Sequence, residues 1–393
     1  MHGETGKRHG SLVGAVISLA MGFAFYFILK LIEGEGSFFD YGNIINGITG
    51  SFPKQVIWYF MNFTEAQFYA SFFAGVGLIA GGFFAWGLAK KGSGKAGFSI
   101  CYGSSSLFPW VLGSQMLSLA LAIFVFRYID IFADPEVTWA ATFITVVGAP
   151  PAVMLLYGPS LSALLTSSIL GGLVCPAMAT WFSTYVTGPW DLPGVVANVT
   201  TMAITGMFIC MVCKAAPWVD QKPVKSYPVA DGGGDDVHSP SWMVRRVLAD
   251  FTEAPFYGNE VVSVFLLAGL VVGEIVSGTH GAYGSGAVPA IVLSQFVGAT
   301  VGVFLYADKF DNGGWYATYV PVVSVGPACV LMFGASIPVA LFAGAVGGIF
   351  GGPVAEFFAG KLPEGVHVTV ANVTSMAICT IGTVAIMQVL PWF

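Results

Sequence analysis

The chain alternates long apolar runs with short polar breaks. The lengths of the runs set the fold class. A spanning helix needs about 20 mostly apolar residues, whereas a barrel strand is about 10 residues of alternating polarity. The first run, residues 11–32, follows Lys7 and Arg8 and reads as a retained first span, not a cleaved leader. Five runs follow at about 67–89, 98–129, 137–157, 160–186 and 194–218. Five more lie at about 257–278, 286–306, 315–334, 336–359 and 366–392. The pattern predicts an all-α polytopic membrane protein with about 11 transmembrane segments. Residues 33–63 are mixed and read as interfacial. Residues 220–250, which include "VADGGGDDVHSPS", read as a linker.

Composition excludes a soluble domain. Hydrophobic residues make up 56% of the 393 positions and charged residues 9%, with a mean hydropathy of +0.79. Soluble domains carry about 25% charged residues. The 51 glycines and 21 prolines point to broken or closely packed helices. Such residues are tolerated at membrane depth where neighbours re-satisfy the backbone or a cavity is lined. The six cysteines all lie in apolar stretches. Cys210-x-x-Cys213 has the spacing of a redox or metal motif but no second pair, so it reads as packing.

The two sets of runs are copies. "VANVTTMAI" (196–204) returns as "VANVTSMAI" (370–378). "FTEAQFY" (63–69) returns as "FTEAPFY" (251–257), and "WAATFITVVGAPPAVMLLYGPS" (139–160) as "WYATYVPVVSVGPACVLMFGAS" (315–336). The matches keep their order. They divide the chain into an N-terminal span with an interfacial segment (1–62), a first copy (63–219), a cytoplasmic linker (220–250) and a second copy (251–393).

Five segments per copy is an odd number, so the copies are expected to face opposite ways. With the N-terminus inside, the positive-inside rule is obeyed by most Lys and Arg. Lys90, Lys91, Lys95, Lys214, Lys222, Lys225, Arg245 and Arg246 then fall on the cytoplasmic side, and the C-terminus lies outside. The 160–186 and 336–359 runs read either as spans or as re-entrant hairpins; as hairpins, each copy loses a span and the copies are parallel. Over residues 63–393 the plan resembles inverted-repeat secondary transporters of the elevator and rocking types. That resemblance implies a midplane site where the repeats meet, and two states exchanged by symmetry.

Candidate site residues follow from the paired irregularities. Pro151 and Pro327 stand in matched Gly/Pro breaks, and paired breaks at matched positions point to a binding site. Ser160 and Ser336 follow a glycine where the next helix begins, as helix caps. Asn198, Thr200 and Thr201 open one helix, and Asn372, Thr374 and Ser375 open its partner. They read either as caps and interhelical bonds or as lining of a solute path. Gln115 and Gln295 are matched amides inside spans and need partners or a ligand. Glu274 is the candidate for coupling to a proton or cation, with Trp86 at its matched place. His280 lies in a neighbouring loop. Glu65 and Glu253 are expected at opposite membrane faces, as gate or interfacial residues.

Several functions are excluded. There is no phosphate-binding loop, zinc-binding His pair or nucleophile elbow, and nothing suggests nucleic acid. No catalytic residue, metal site or cofactor is expected, and the chain is not expected to be an enzyme. The expected function is secondary transport of a small polar or singly charged organic solute, with H+ or Na+ as coupling ion. The expected setting is the inner or plasma membrane, with a homodimer suggested by architectural analogy. The alternatives are a passive channel of the same symmetry and a membrane subunit of a larger complex.

Overall fold

The computed structural model describes residues 9–32, 38–225, 227, 236–277 and 281–393. His280, Lys7, Arg8 and the middle of the linker lie outside them. The described chain is helical: α1 (Leu12–Leu31), α2 (Tyr41–Ile45), α3 (Phe52–Met61), α4 (Phe72–Lys90), α5 (Phe108–Ala120), α6 (Ile144–Val147), α7 (Ala149–Tyr157), α8 (Leu161–Phe182) and α9 (Gly194–Ala215). Then come α10 (Pro240–Ala249), α11 (Glu260–Ser277), α12 (Val288–Leu305), α13 (Val325–Phe333), α14 (Ile337–Ala359) and α15 (Thr369–Val389).

Among the described residues, nine helices are long and apolar enough to cross a membrane. The protein is therefore a multi-pass membrane protein. The expected count of about 11 includes two runs that form no full-length helix. Residues 141–157 and 320–333 are shorter apolar segments. The first breaks at Gly148 and the second at Ser324, whose backbones leave the helical region. Each break lies beside prolines, which remove helix donors and clash with the preceding turn. By contrast, the 160–186 and 336–359 runs form continuous helices of 22 and 23 residues, not hairpins. Ser160 and Ser336 each accept an amide hydrogen from the first turn, as expected of caps.

The matching between copies starts earlier than residues 63 and 251. Helices α3 and α10 are ten residues long, begin with Pro in the first turn, and lead directly into the two "FTEA" loops. Helix α10 thus occupies part of the segment read as linker. At about 15 Å, each helix has half the length needed to cross the hydrocarbon core. The two loops also meet each other in the interior. Gln67 Nε2 donates to the Phe251 carbonyl at 2.9 Å, and Gln295 Nε2 donates to the Gln67 carbonyl at 3.0 Å. The expectation that Glu65 and Glu253 sit apart at opposite faces is corrected by this contact between their loops. The half-length helices carry the loops inward to buried ground.

Glycines let the matched helices close. Helix α4 packs on α11. A Cβ at Gly77 would stand 2.4 Å from the Phe265 carbonyl oxygen, and one at Gly269 would stand 2.4 Å from that of Phe73. The Gly-Gly pairs work the same way. Gly171 meets Pro150, and Gly347 meets Pro321, so each broken segment beds on the helix that follows it. The six cysteines are free and buried.

Candidate functional site

Helices α9 and α15 run antiparallel along one seam. The Lys214 ammonium at the end of α9 donates to the Glu364 carbonyl just before α15, at 2.8 Å. A Cβ at Gly206 would touch Val370. The starts of α9 and α15 therefore lie toward opposite ends of the seam. Both starts carry the Asn-x-Thr stretch.

A narrow central cavity of about 40 Å³ opens on this seam. Its wall takes matched residues from both copies: Asn198, Val199 and Met202 from α9, Val373 and Met376 from α15, with Phe143 and Tyr319 opposite each other in sequence register. Glu65 and Phe68 enter from one "FTEA" loop and Ala254 from the other. A second cavity at the start of α9 shares Phe68 and Val195 with the first. A third at the start of α15 shares Thr369 and contains Tyr102, Trp315, His367 and Asn372. Three cavities with common walls thus run along the seam. Phe68 stands between two of them with φ of +65°, and its counterpart Phe256 has φ of +68°. A bulky residue there is strained by about 1–3 kcal/mol, and such strain clusters at functional sites.

The side-chain amides of both glutamines are engaged in hydrogen bonds within the protein. Gln115 Nε2 donates to the carbonyls of Val146 and Pro255, both at 2.9 Å, and its Oε1 accepts from the Tyr257 hydroxyl at 2.9 Å. Gln295 repeats this set. Its Nε2 donates to Val322 at 2.8 Å and to Gln67, and its Oε1 accepts from Tyr69 at 2.6 Å. Val146 and Val322 stand just before the two helix breaks, where carbonyls lose their intrahelical donors. Each glutamine therefore satisfies a break and clamps the loop of the other copy.

The matched loops differ in charge. In the second copy, Arg246 bonds Asp250 at 2.6 Å and also Glu253, and Thr318 donates to Asp250 at 2.9 Å. In the first copy the same places hold Trp58, Asn62 and Thr142, which form a neutral network. Of the ionisable residues in that set, the first copy retains the glutamate, Glu65. Its Oε2 accepts from Trp139 at 3.0 Å and from Tyr283 at 2.7 Å. Its Oε1 is buried with no partner.

The remaining expected residues scatter. Asn198 lines the central cavity, and its Oδ1 is buried without a partner. Asn372 lines the third cavity and donates to the Tyr319 hydroxyl at 3.1 Å. Thr200 is half-buried, and Thr201 is buried with a free hydroxyl. Thr374 bonds back to its own helix at Val370, and Ser375 bonds the Gly351 carbonyl of α14 at 2.7 Å. Ser160 lies away from the cavities, where it donates to Asp220 at 2.5 Å. Ser336 caps α14, and Pro151 and Pro327 are buried inside α7 and α13. Glu274 is buried in α11 beside Gly281 and lines none of the three cavities. Among the described residues, no group of three or more His, Cys, Asp or Glu is placed to hold a metal. Sequence reasoning missed Glu65 as a lining residue. The signal was the matched pair Trp58 and Arg246, which leaves only one of two equivalent glutamates paired.

Comparison with protein families, with curated proteins and with solved structures finds no match to this chain.

Proposed function

We propose that the chain conducts a small polar solute across a membrane, along the seam between two inverted repeats. The observation that carries this reading is the row of three cavities with common walls, built from matched residues of both copies. No catalysis is invoked, because no nucleophile, metal group or cofactor fingerprint is needed for such a path. The membrane is taken to be the plasma or inner membrane, with the linker on the cytoplasmic side.

The clamps favour a fixed frame over travel of one repeat past the other. Five buried hydrogen bonds link the copies through Gln67, Gln115 and Gln295. Sliding one repeat would break them together, where water cannot replace them. Local movement at Phe68 and Phe256 is the simpler gate, which makes a facilitator or channel the leading form. Secondary transport with alternating access is the second form. It is favoured by the constricted centre between wider ends, the arrangement of an occluded site.

Purified protein in proteoliposomes tests the reading. Swelling is followed with glycerol, formamide, methylammonium chloride and sodium formate. At least one solute enters faster than into empty vesicles, and N198W, which fills the central cavity, abolishes the difference. Equal rates with and without protein for all four overturn the proposal. Trans-stimulation by preloaded solute separates the two forms, since only a carrier shows it.

A further inference from the structure

We infer that the central cavity selects small monovalent cations that carry N–H donors, with Glu65 as the recognition group; this rests on the transport reading above. The argument starts from an unequal pair. Glu253 and Glu65 occupy the same place in the two "FTEA" loops. Glu253 has its counter-charge built in, because Arg246 reaches it from the preceding half-length helix. The first copy has Trp58 at the place of Arg246, with its indole bonded to Thr142, and among the described residues Glu65 accepts hydrogen bonds only from the neutral Trp139 and Tyr283. A carboxylate 1% exposed at membrane depth is costly unless paired. In the first copy the described residues place no positive side chain there, and a cation in the cavity would supply one.

The cavity wall says what kind of cation fits. Glu65 lines it with Oε2 already bonded and Oε1 free. Asn198 lines it with Oδ1 free. Among the described residues, the wall of this cavity contains no Lys, Arg or His. Unpartnered acceptors without a positive side chain repel anions and call for donors. The remaining wall is apolar or aromatic, from Phe68, Phe143, Val199, Met202 and Val373. A bare metal ion needs a full shell of oxygens, roughly six for the common divalent ions, and this wall offers far fewer. A small ammonium suits it better. Its N–H groups meet the two oxygens, its apolar body meets the aliphatic wall, and aromatic faces attract its charge. Asn372, whose Oδ1 is also unpartnered, stands next along the path and offers the following acceptor.

The test compares three solutes of similar size and different charge in the same proteoliposomes: methylammonium, formamide and formate. Methylammonium is expected to pass fastest and formate slowest. E65Q keeps the shape and the bonds from Trp139 and Tyr283, and is expected to cut methylammonium flux about tenfold relative to formamide. W58R places in the first copy the arginine that the second copy uses, and is expected to have the same effect by supplying the charge internally. Formate passing fastest, or an unchanged methylammonium to formamide ratio in E65Q, overturns the inference while leaving transport intact. Failure of all three solutes, and of glycerol, to pass faster than into empty vesicles overturns the transport reading itself.

Discussion

The Tyr257 hydroxyl donates to Oε1 of Gln115 across 2.9 Å, a bond that ties the loop of the second copy to the helix break of the first. The amide hydrogens of Gln115 go to Val146 at the break and to Pro255 in that loop. Q115L therefore strands three buried groups, at about 1–3 kcal/mol for each one left unsatisfied. Thermal unfolding in detergent is expected to drop clearly for Q115L, and equally for Q295L. Y257F loses only one bond and falls less. The Q115L/Y257F double variant falls by less than the sum, because the partners share one interaction. Additive losses would show that the clamp is not a unit.

Much of this arrangement was legible in the sequence, and the reasons differ by residue. Apolar run lengths located the long helices because a bilayer sets helix length physically. The Gly/Pro breaks were legible because proline has a local effect. The roles of Gln115 and Gln295 were not. A buried amide signals that partners exist, but which carbonyl it meets depends on how distant segments pack. Glu65 was misplaced for a related reason. Hydropathy cannot tell a half-length helix that carries a loop inward from an interfacial one.

The glycines divide into those under a neighbour and those in open space. A Cβ at Gly171 would lie 2.4 Å from Pro150, whereas Gly87 and Gly382 have nothing within 4 Å. G171V and G77V are expected to cut the monodisperse fraction on size exclusion, since overpacking costs about 1–3 kcal/mol. G87A and G382A are expected to match or slightly exceed the parent, because alanine favours helix over glycine by about 1 kcal/mol. Loss in all four would mean that glycine serves flexibility and not close packing.

Arg246 is held by Asp250 and Glu253 in a buried network. R246M removes the cation shared by the two carboxylates and leaves them without it, at a cost of about 3–5 kcal/mol. The first copy shows a neutral alternative, with Trp58 and Asn62 at the matched places. R246W/D250N transplants it and is expected to recover much of the lost stability in the same melting experiment. A double variant as unstable as R246M would argue that the charges act through contacts absent from the first copy.

Asp220 ties the segment after α9 to the α7–α8 turn. Its carboxylate is held well below the usual range by the Lys222 ammonium first, then by the Ser160 and Ser162 hydroxyls. A depressed carboxylate stabilises its contact above the ordinary aspartate value and loses it as pH falls through the lowered one. A cysteine at Gln221, in a background lacking the native six, is therefore expected to react slowly with a thiol probe at neutral pH. D220N is expected to speed the reaction at the same pH. An unchanged rate in D220N would show that the bond from the Lys222 amide to the Tyr157 carbonyl suffices alone.

The inverted arrangement proposed above makes a prediction about sides. Lys214 at the end of α9 touches Glu364 ahead of α15, so the segment after α9 and the start of α15 share one end of the seam. Helix α15 is 21 residues long, about 32 Å at 1.5 Å per residue, which carries Trp392 to the other end. Asp191, in the turn before α9, and Ser285, in the loop before α12, belong with Trp392 if both copies have five segments. Single cysteines at 191, 225, 285 and 392, placed in a background lacking the native six, are labelled from outside intact cells with an impermeant maleimide. Labelling at 191, 285 and 392 with protection at 225 is the expected result, and it also sets the linker inside. Shared behaviour of 225 and 392 would place both ends of the second copy on one side. The copies would then be parallel, and a seam between inverted repeats could not be the path.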